Sequence, residues 1–272
     1  MTDGRPDREA YTLRDHPACE ALHATRTAVQ EAAFFLPHLR PGMHLLDVGC
    51  GPGTITVGLA EAVAPGEVVG VDFQSSQVEQ ARAVAAERGV TNVRFEVGDA
   101  YRLPFPDRSF DAAFAHAVLM HLREPVRALA ELRRVLRPAG IAGVRDPDLG
   151  AIIFSPATPL LEQRRELHIR VLRHNGGDPC VGRQHRRLLL EAGFARAEAL
   201  ASVVSAGSLE ETRRAAAFFK NRFQGFARTA LAEGWVTRAT VEAMAAEIDA
   251  WAERPDAFYA GLWAQAIGWA DG

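Results

Sequence analysis

The chain has 272 residues, 48% hydrophobic and 24% charged, with a formal net charge of −3; this excludes a disordered protein and argues against a phosphate-backbone partner. The length suits one large domain, or one domain carrying a substantial insertion. No apolar run reaches bilayer-spanning length and MTDGRPDREAYTLRD lacks a signal core, so the expectation is a cytoplasmic protein with no membrane and no nucleic-acid partner.

Strand-like and helix-like segments alternate from residue 43 to about 146. His44 to Val48 is a short apolar run bounded by Pro41-Gly42 and Gly49, which predicts a buried strand. A helix over 54–63 stops at Pro65-Gly66, and VVGVD (68–72) predicts a second strand. A helix over 76–88 ends at Gly89; strands follow at 93–97 and 110–117. Pro125 opens a helix over 125–137 with Val126, Leu129, Leu132 and Leu136 on its apolar face, and a fifth strand spans 141–145. Strands joined by helical crossovers pair in parallel, with helices on both faces of the sheet.

After Asp146 the rhythm breaks. A charged helix, LLEQRRELHIRVLRH, lies between Pro159 and Gly176-Gly177. Residues 181–192 predict another helix, 196–204 a sixth strand, and 208–254 helix broken near Gly234. The aromatic tail alternates loosely and reads as a last strand, with a helix as the alternative. The expected division is a helical N-terminal cap (1–40), a cofactor-binding core (41–147, 181–206 and 257–272), and two helical insertions (148–180 and 207–256) forming a lid and acceptor pocket.

The chemistry concentrates at Asp47-Val48-Gly49-Cys50-Gly51-Pro52-Gly53, between the first strand and the first helix. Open parallel sheets bind cofactors there. Glycines let the backbone turn sharply and approach a ligand. Asp47, Asp72 and Asp99 lie at three successive strand ends, placing three carboxylates along one crevice. Asp72, nineteen positions after Gly53, can accept hydrogen bonds from ribose hydroxyls. That feature alone also fits a nicotinamide cofactor. The loop does not: G-x-G-x-G departs from the dinucleotide G-x-G-x-x-G, and an acid two places before Gly49 suits an ammonium or sulfonium better than a pyrophosphate.

In LLDVGCGPGT (45–54), VVGVD (68–72), VRFEVGDAYRLPFPDRSFDAAFAHAVLMHL (93–122) and ALAELRRVLRPAGIAGV (128–144), the chain resembles class I S-adenosylmethionine-dependent methyltransferases, especially the UbiE-like small-molecule branch. One departure is Ala139, where the family usually has glycine. The resemblance implies a Rossmann-like α/β fold with a seven-stranded, mostly parallel sheet, and S-adenosyl-L-methionine as cofactor. Gly49, Gly51 and Gly53 would admit its methionyl part, with Asp47 beneath. Asp72 would hold the ribose, Phe73 would pack on adenine, and Asp99 with Ala100 would meet the adenine amino group. Gln77 and Gly98 complete the expected shell, His116 would face the methyl-bearing sulfur, and Tyr11 lies in a covering segment.

The implied reaction is in-line methyl transfer to a small, hydrophobic or aromatic acceptor by a monomer or homodimer. His116, His121 and Asp146 are the candidate bases, each with a structural alternative. The i, i+5 spacing of the two histidines does not suit a metal site. Cys19, Cys50 and Cys180 form no metal-ligand pair and suggest no disulfide framework. Lys220, the only lysine, sits in an amphipathic AAFFKNRF helix and reads as a surface residue. Seven arginines fall between Arg164 and Arg187; they read as a solvated face, or as a lid in which Arg170 and Arg173 attract an anion. Phe218, Phe219, Phe223 and Phe226 precede four late tryptophans and read as a core seam, with the alternative that part of the stripe walls an apolar acceptor pocket. A nicotinamide-dependent oxidoreductase and a cofactor-binding protein without methyl transfer are the alternatives.

Overall fold

The computed structural model describes residues 26–271. Its centre is a seven-stranded sheet in the order β3-β2-β1-β4-β5-β7-β6. The strands are β1 (Leu45–Val48), β2 (Val68–Asp72), β3 (Val93–Val97), β4 (Phe110–His116), β5 (Leu136–Ser155), β6 (Arg196–Ala206) and β7 (Phe258–Trp269). The first five pair in parallel; β7 runs antiparallel between β5 and β6. The helices are α1 (Ala28–Glu31), α2 (Thr54–Val63), α3 (Ser75–Glu87), α4 (Pro125–Val135), α5 (Pro159–His174), α6 (His185–Glu191), α7 (Leu209–Ala232) and α8 (Arg238–Ala252). This is the expected Rossmann-like architecture, and the aromatic tail is the strand β7.

Strands β1, β2 and β4 are buried on both faces, which explains their continuous apolar runs. Alternate residues feed opposite layers. Leu46, Val48, Val69 and Val71 pack toward Leu129 and Leu132 of α4, while Leu45 and Val68 pack with Phe35 and Leu59 of α2. Gly143 in β5 lets Phe35 lie against the sheet, because a Cβ there would stand 2.5 Å from its ring. A third core joins α5, α7 and α8 through Leu167, Val171, Phe219, Phe223, Ile248 and Trp251.

Three boundaries differ from expectation. Strand β5 runs on to Ser155, so residues 148–155 belong to the sheet, not to an insertion. Its outer half pairs with β7 after a register irregularity between Pro147 and Ile152. Pro147 and Gly150 therefore mark a bulged stretch of strand. The segment 181–192 begins as a 3-10 turn, with α6 only from His185. Helix α4 stops at Val135, so Leu136, expected on its apolar face, opens β5 instead; the long helical segment breaks at Gly234 as expected, where φ is +67°. The described cysteines, Cys50 and Cys180, are free. Lys220 pairs with Asp249 at 2.7 Å, tying α7 to α8. Among the described residues, no helix is long and apolar enough to cross a membrane, and no cluster of three or more His, Cys, Asp or Glu could hold a metal.

Candidate active site

The carboxyl ends of the parallel strands open into a cavity of about 580 Å³. Asp47, Asp72 and Asp99 all line it. Each is held differently. Asp47 is buried and accepts a 2.6 Å hydrogen bond from the Thr56 hydroxyl. Burial, opposed by that bond and reinforced by Asp72, pushes its carboxyl up to about 7. A cation in the cavity would favour its ionised form. Asp72 accepts from Gly51 N at 3.0 Å and Gln74 N at 2.9 Å. Burial nonetheless raises its carboxyl above the ordinary range. The Phe73 backbone also hydrogen-bonds it, and a carboxylate has about four lone-pair sites, so about one remains for a ligand hydroxyl. Asp99 is exposed at the rim and accepts from Tyr101 N at 2.9 Å.

Phe73 and Val97 are apolar yet 52% and 53% exposed, and both border the cavity between Asp72 and Asp99. Such exposure is costly unless something apolar is to be covered. Gly49, Gly51, Gln77, Gly98, Ala100 and His116 also line the cavity; Gly53 does not. The expected role of Gly53 against a ligand is therefore corrected. It adopts φ +77° as the N-cap of α2, and a Cβ there would meet Ala81 at 2.7 Å. Tyr11 lies outside the described residues.

The candidate bases separate clearly. Asp146 is fully buried and lines neither large cavity. Its Oδ1 accepts from Met120 N at 3.1 Å and its Oδ2 lies 2.9 Å from His185 Nε2. Both oxygens are committed to joining the turn after β4 to α6, so its candidacy as a base falls and its role is structural. His121 lines the cavity, but burial and the Arg222 and Arg26 cations push its imidazole down to about 3. At neutral pH it can accept a hydrogen bond but is a very weak proton acceptor. His116 ends β4. Its ring stacks on Trp263 at 5.2 Å, its Nε2 lies 3.7 Å from Glu31 Oε2, and Arg145 Nη1 is 3.5 Å from its Nδ1. Arg145 also pairs with Glu31 and lies 4.1 Å over Trp263.

A second cavity of about 400 Å³ adjoins the first, sharing Arg26 and Arg222 with it. Phe154, Phe218, Phe219, Tyr259 and Trp263 wall it. Arg164, from the arginine run, lines it as well, as do Glu31 and Arg222, which were not expected. Arg170 and Arg173 are exposed and line neither large cavity; Arg170 stacks on Trp235. The arginine-rich segment is thus a solvated face at those two positions, with Arg164 turned inward. A signal existed: Leu161, Arg164, His168 and Val171 follow the helical repeat of one face.

A family model described as a methyltransferase domain matches residues 39–177. The chain belongs to that methyltransferase family. It is 35% identical over 200 residues to an uncharacterized methyltransferase of Schizosaccharomyces pombe, covering 71% of each chain. It is 30% identical over 198 residues to a demethylmenaquinone methyltransferase of Lactococcus lactis, covering 72% of this chain and 74% of that one. The YcgJ crystal structure from Bacillus subtilis superposes with a TM-score of 0.58 at 20% identity, over 89% of this chain and 98% of that one; it supports the fold alone. The protein is an S-adenosylmethionine-dependent methyltransferase, which sets aside the nicotinamide alternative. The first cavity has features that fit the cofactor: a buried carboxylate suited to a cation, a second with a free lone pair, and two exposed apolar side chains between carboxylates.

Proposed function

We propose that the first cavity seats S-adenosylmethionine and the second seats a small hydrophobic or aromatic acceptor. The observation that carries this reading is the continuity of the two cavities through Arg26 and Arg222, with His116 on the first and its stacking partner Trp263 on the second. Asp72 accepts from a ribose hydroxyl, Phe73 and Val97 cover the adenine, and Asp99 accepts from its amino group. Asp47 balances the positive charge from below the glycine loop.

When bound, S-adenosylmethionine supplies an activated methyl group that leaves sulfur as the C–S bond breaks, with the electron pair staying on sulfur. The protein's task is alignment and exclusion of water, worth roughly 7–11 kcal/mol for a near-attack geometry. Aromatic walls hold the acceptor's apolar body. Where the nucleophile arrives protonated, His116 takes the proton, with Glu31 beside it to stabilise the imidazolium.

Calorimetric titration with S-adenosylhomocysteine tests the cofactor seat. Asp72→Ala should weaken binding about 10–100-fold, the range expected for losing charge-assisted hydrogen bonds. Unchanged affinity refutes the assignment. Formation of S-adenosylhomocysteine together with a methylated aromatic acceptor separates transfer from mere binding. A KM rise without a change in the pH profile of His116→Asn would remove the proton-acceptor role.

A further inference from the structure

Arg164 is 5% exposed, yet it lines the second cavity. It lies over the rings of Phe219, Phe223 and Phe226 at 5.2–5.8 Å. Among the described residues its one hydrogen bond is a long one, 3.3 Å from Nη2 to Phe219 O, and its Nε has no partner. Among the described residues, no carboxylate lies within 4 Å of it. A buried guanidinium needs an anion or a full set of acceptors to offset desolvation. The described residues supply neither.

The surroundings of Arg164 are cationic as well. Arg222, also buried, lines both cavities and adds positive charge near Arg164. Burial and Arg222 together lower the Arg164 guanidinium to about 10. His168 is held well below its usual range by burial and by both arginines. The acids on the cavity wall are committed elsewhere. Glu31 pairs with Arg145, Asp148 binds Arg183 through both oxygens, and Glu211 accepts from Gly207 N and Ser208 N in a capping box.

We infer that the acceptor carries a carboxylate, which Arg164 receives at the floor of the second cavity while the aromatic wall holds its ring. One unneutralised buried cation calls for a monoanion, and the planar fork of arginine matches a carboxylate. This deepens the acceptor assignment above and rests on it.

The test uses the full chain saturated with S-adenosylhomocysteine. Benzoate, 4-hydroxycinnamate and 1-hydroxy-2-naphthoate are titrated, each beside its neutral amide. At least one acid should bind tenfold or more tightly than its amide. Arg164→Met should reduce that preference below threefold, and Arg164→Lys should keep part of it. Without ligand, Arg164→Met should raise Tm, because it removes a buried charge that the described residues do not balance. No preference for any acid, a preference that survives in Arg164→Met, or a lower Tm in that variant overturns the proposal. Separate titration of S-adenosylhomocysteine distinguishes the two assignments. Its failure to bind removes the cofactor seat, while the acid-against-amide comparison without it still reads the carboxylate site.

Discussion

Asp47→Asn should stabilise the free protein by an amount that grows with pH. The Asp47 carboxyl titrates near 7 in the folded protein against 3.8 as the ordinary value. The unfolded chain therefore gives up this proton at lower pH than the folded one. Folding is least penalised below pH 4, and the penalty grows as pH rises, levelling above 7. At 1.36 kcal/mol per pH unit, the cost of keeping Asp47 is about 2 kcal/mol at pH 5 and about 4 kcal/mol at pH 8.5. Asparagine is neutral throughout and can still accept from Thr56 Oγ1. Urea unfolding of both proteins without cofactor, from pH 5 to 8.5, measures the gap directly. The comparison cancels the histidines that titrate in the same window. The same substitution should weaken S-adenosylmethionine binding, since the buried carboxylate would no longer balance its charge. A gap that is constant with pH, or that closes as pH rises, refutes the reasoning.

Acid acts in the opposite sense at His168. Its imidazole is held well below the usual 6.5 by burial and by Arg222, Arg164 and His121, so its contribution is intact above pH 6.5 and stability is lost as pH falls below it. His168→Phe preserves the stack on Phe226, at 4.4 Å between centroids; its stability relative to the parent should rise as pH falls from 8 to 5, read by urea unfolding. Ala139 holds φ +61° and donates its N–H to Asp271 O. Left-handed backbone costs about 1–2 kcal/mol at a residue with a Cβ, offset in part by the greater freedom of unfolded glycine. Ala139→Gly should therefore gain about 0.5–1 kcal/mol, measured by thermal melts; a loss would show that the turn prefers alanine.

The cofactor half was legible because its signals are local. Each of Asp47, Asp72 and Asp99 ends or follows a short strand that announces itself by an apolar run. The glycine loop also lies within ten residues of sequence, so position along the chain translates directly into position in the cleft. Gly53 marks the limit of that reading. Its sequence setting matches Gly49 and Gly51, but its missing Cβ makes room for Ala81 and Phe95, not for a ligand. Asp146 fails for a related reason: nothing nearby in sequence says that His185, 39 residues on, will take its second oxygen. The outer half of β5 was obscured in the same way, since its partner β7 begins more than a hundred residues later.

The acceptor half is non-local, and composition misled there. Counting arginines between 164 and 187 detects charge but not its direction, and helical phase decides that. Arg164 shares the buried face of α5 with Leu161, Leu167, His168 and Val171, whereas Arg170 and Arg173 face out. Arg222 likewise shares the buried face of α7 with Phe219, Phe223 and Phe226. Cations set within apolar stripes are destabilising when nothing answers them. A stripe that carries Arg164 among aromatic rings, with no carboxylate within 4 Å among the described residues, is therefore better read as half of a binding site than as a flaw in a core. That is why the proposed anion, which the described residues do not supply to Arg164, is assigned to the ligand.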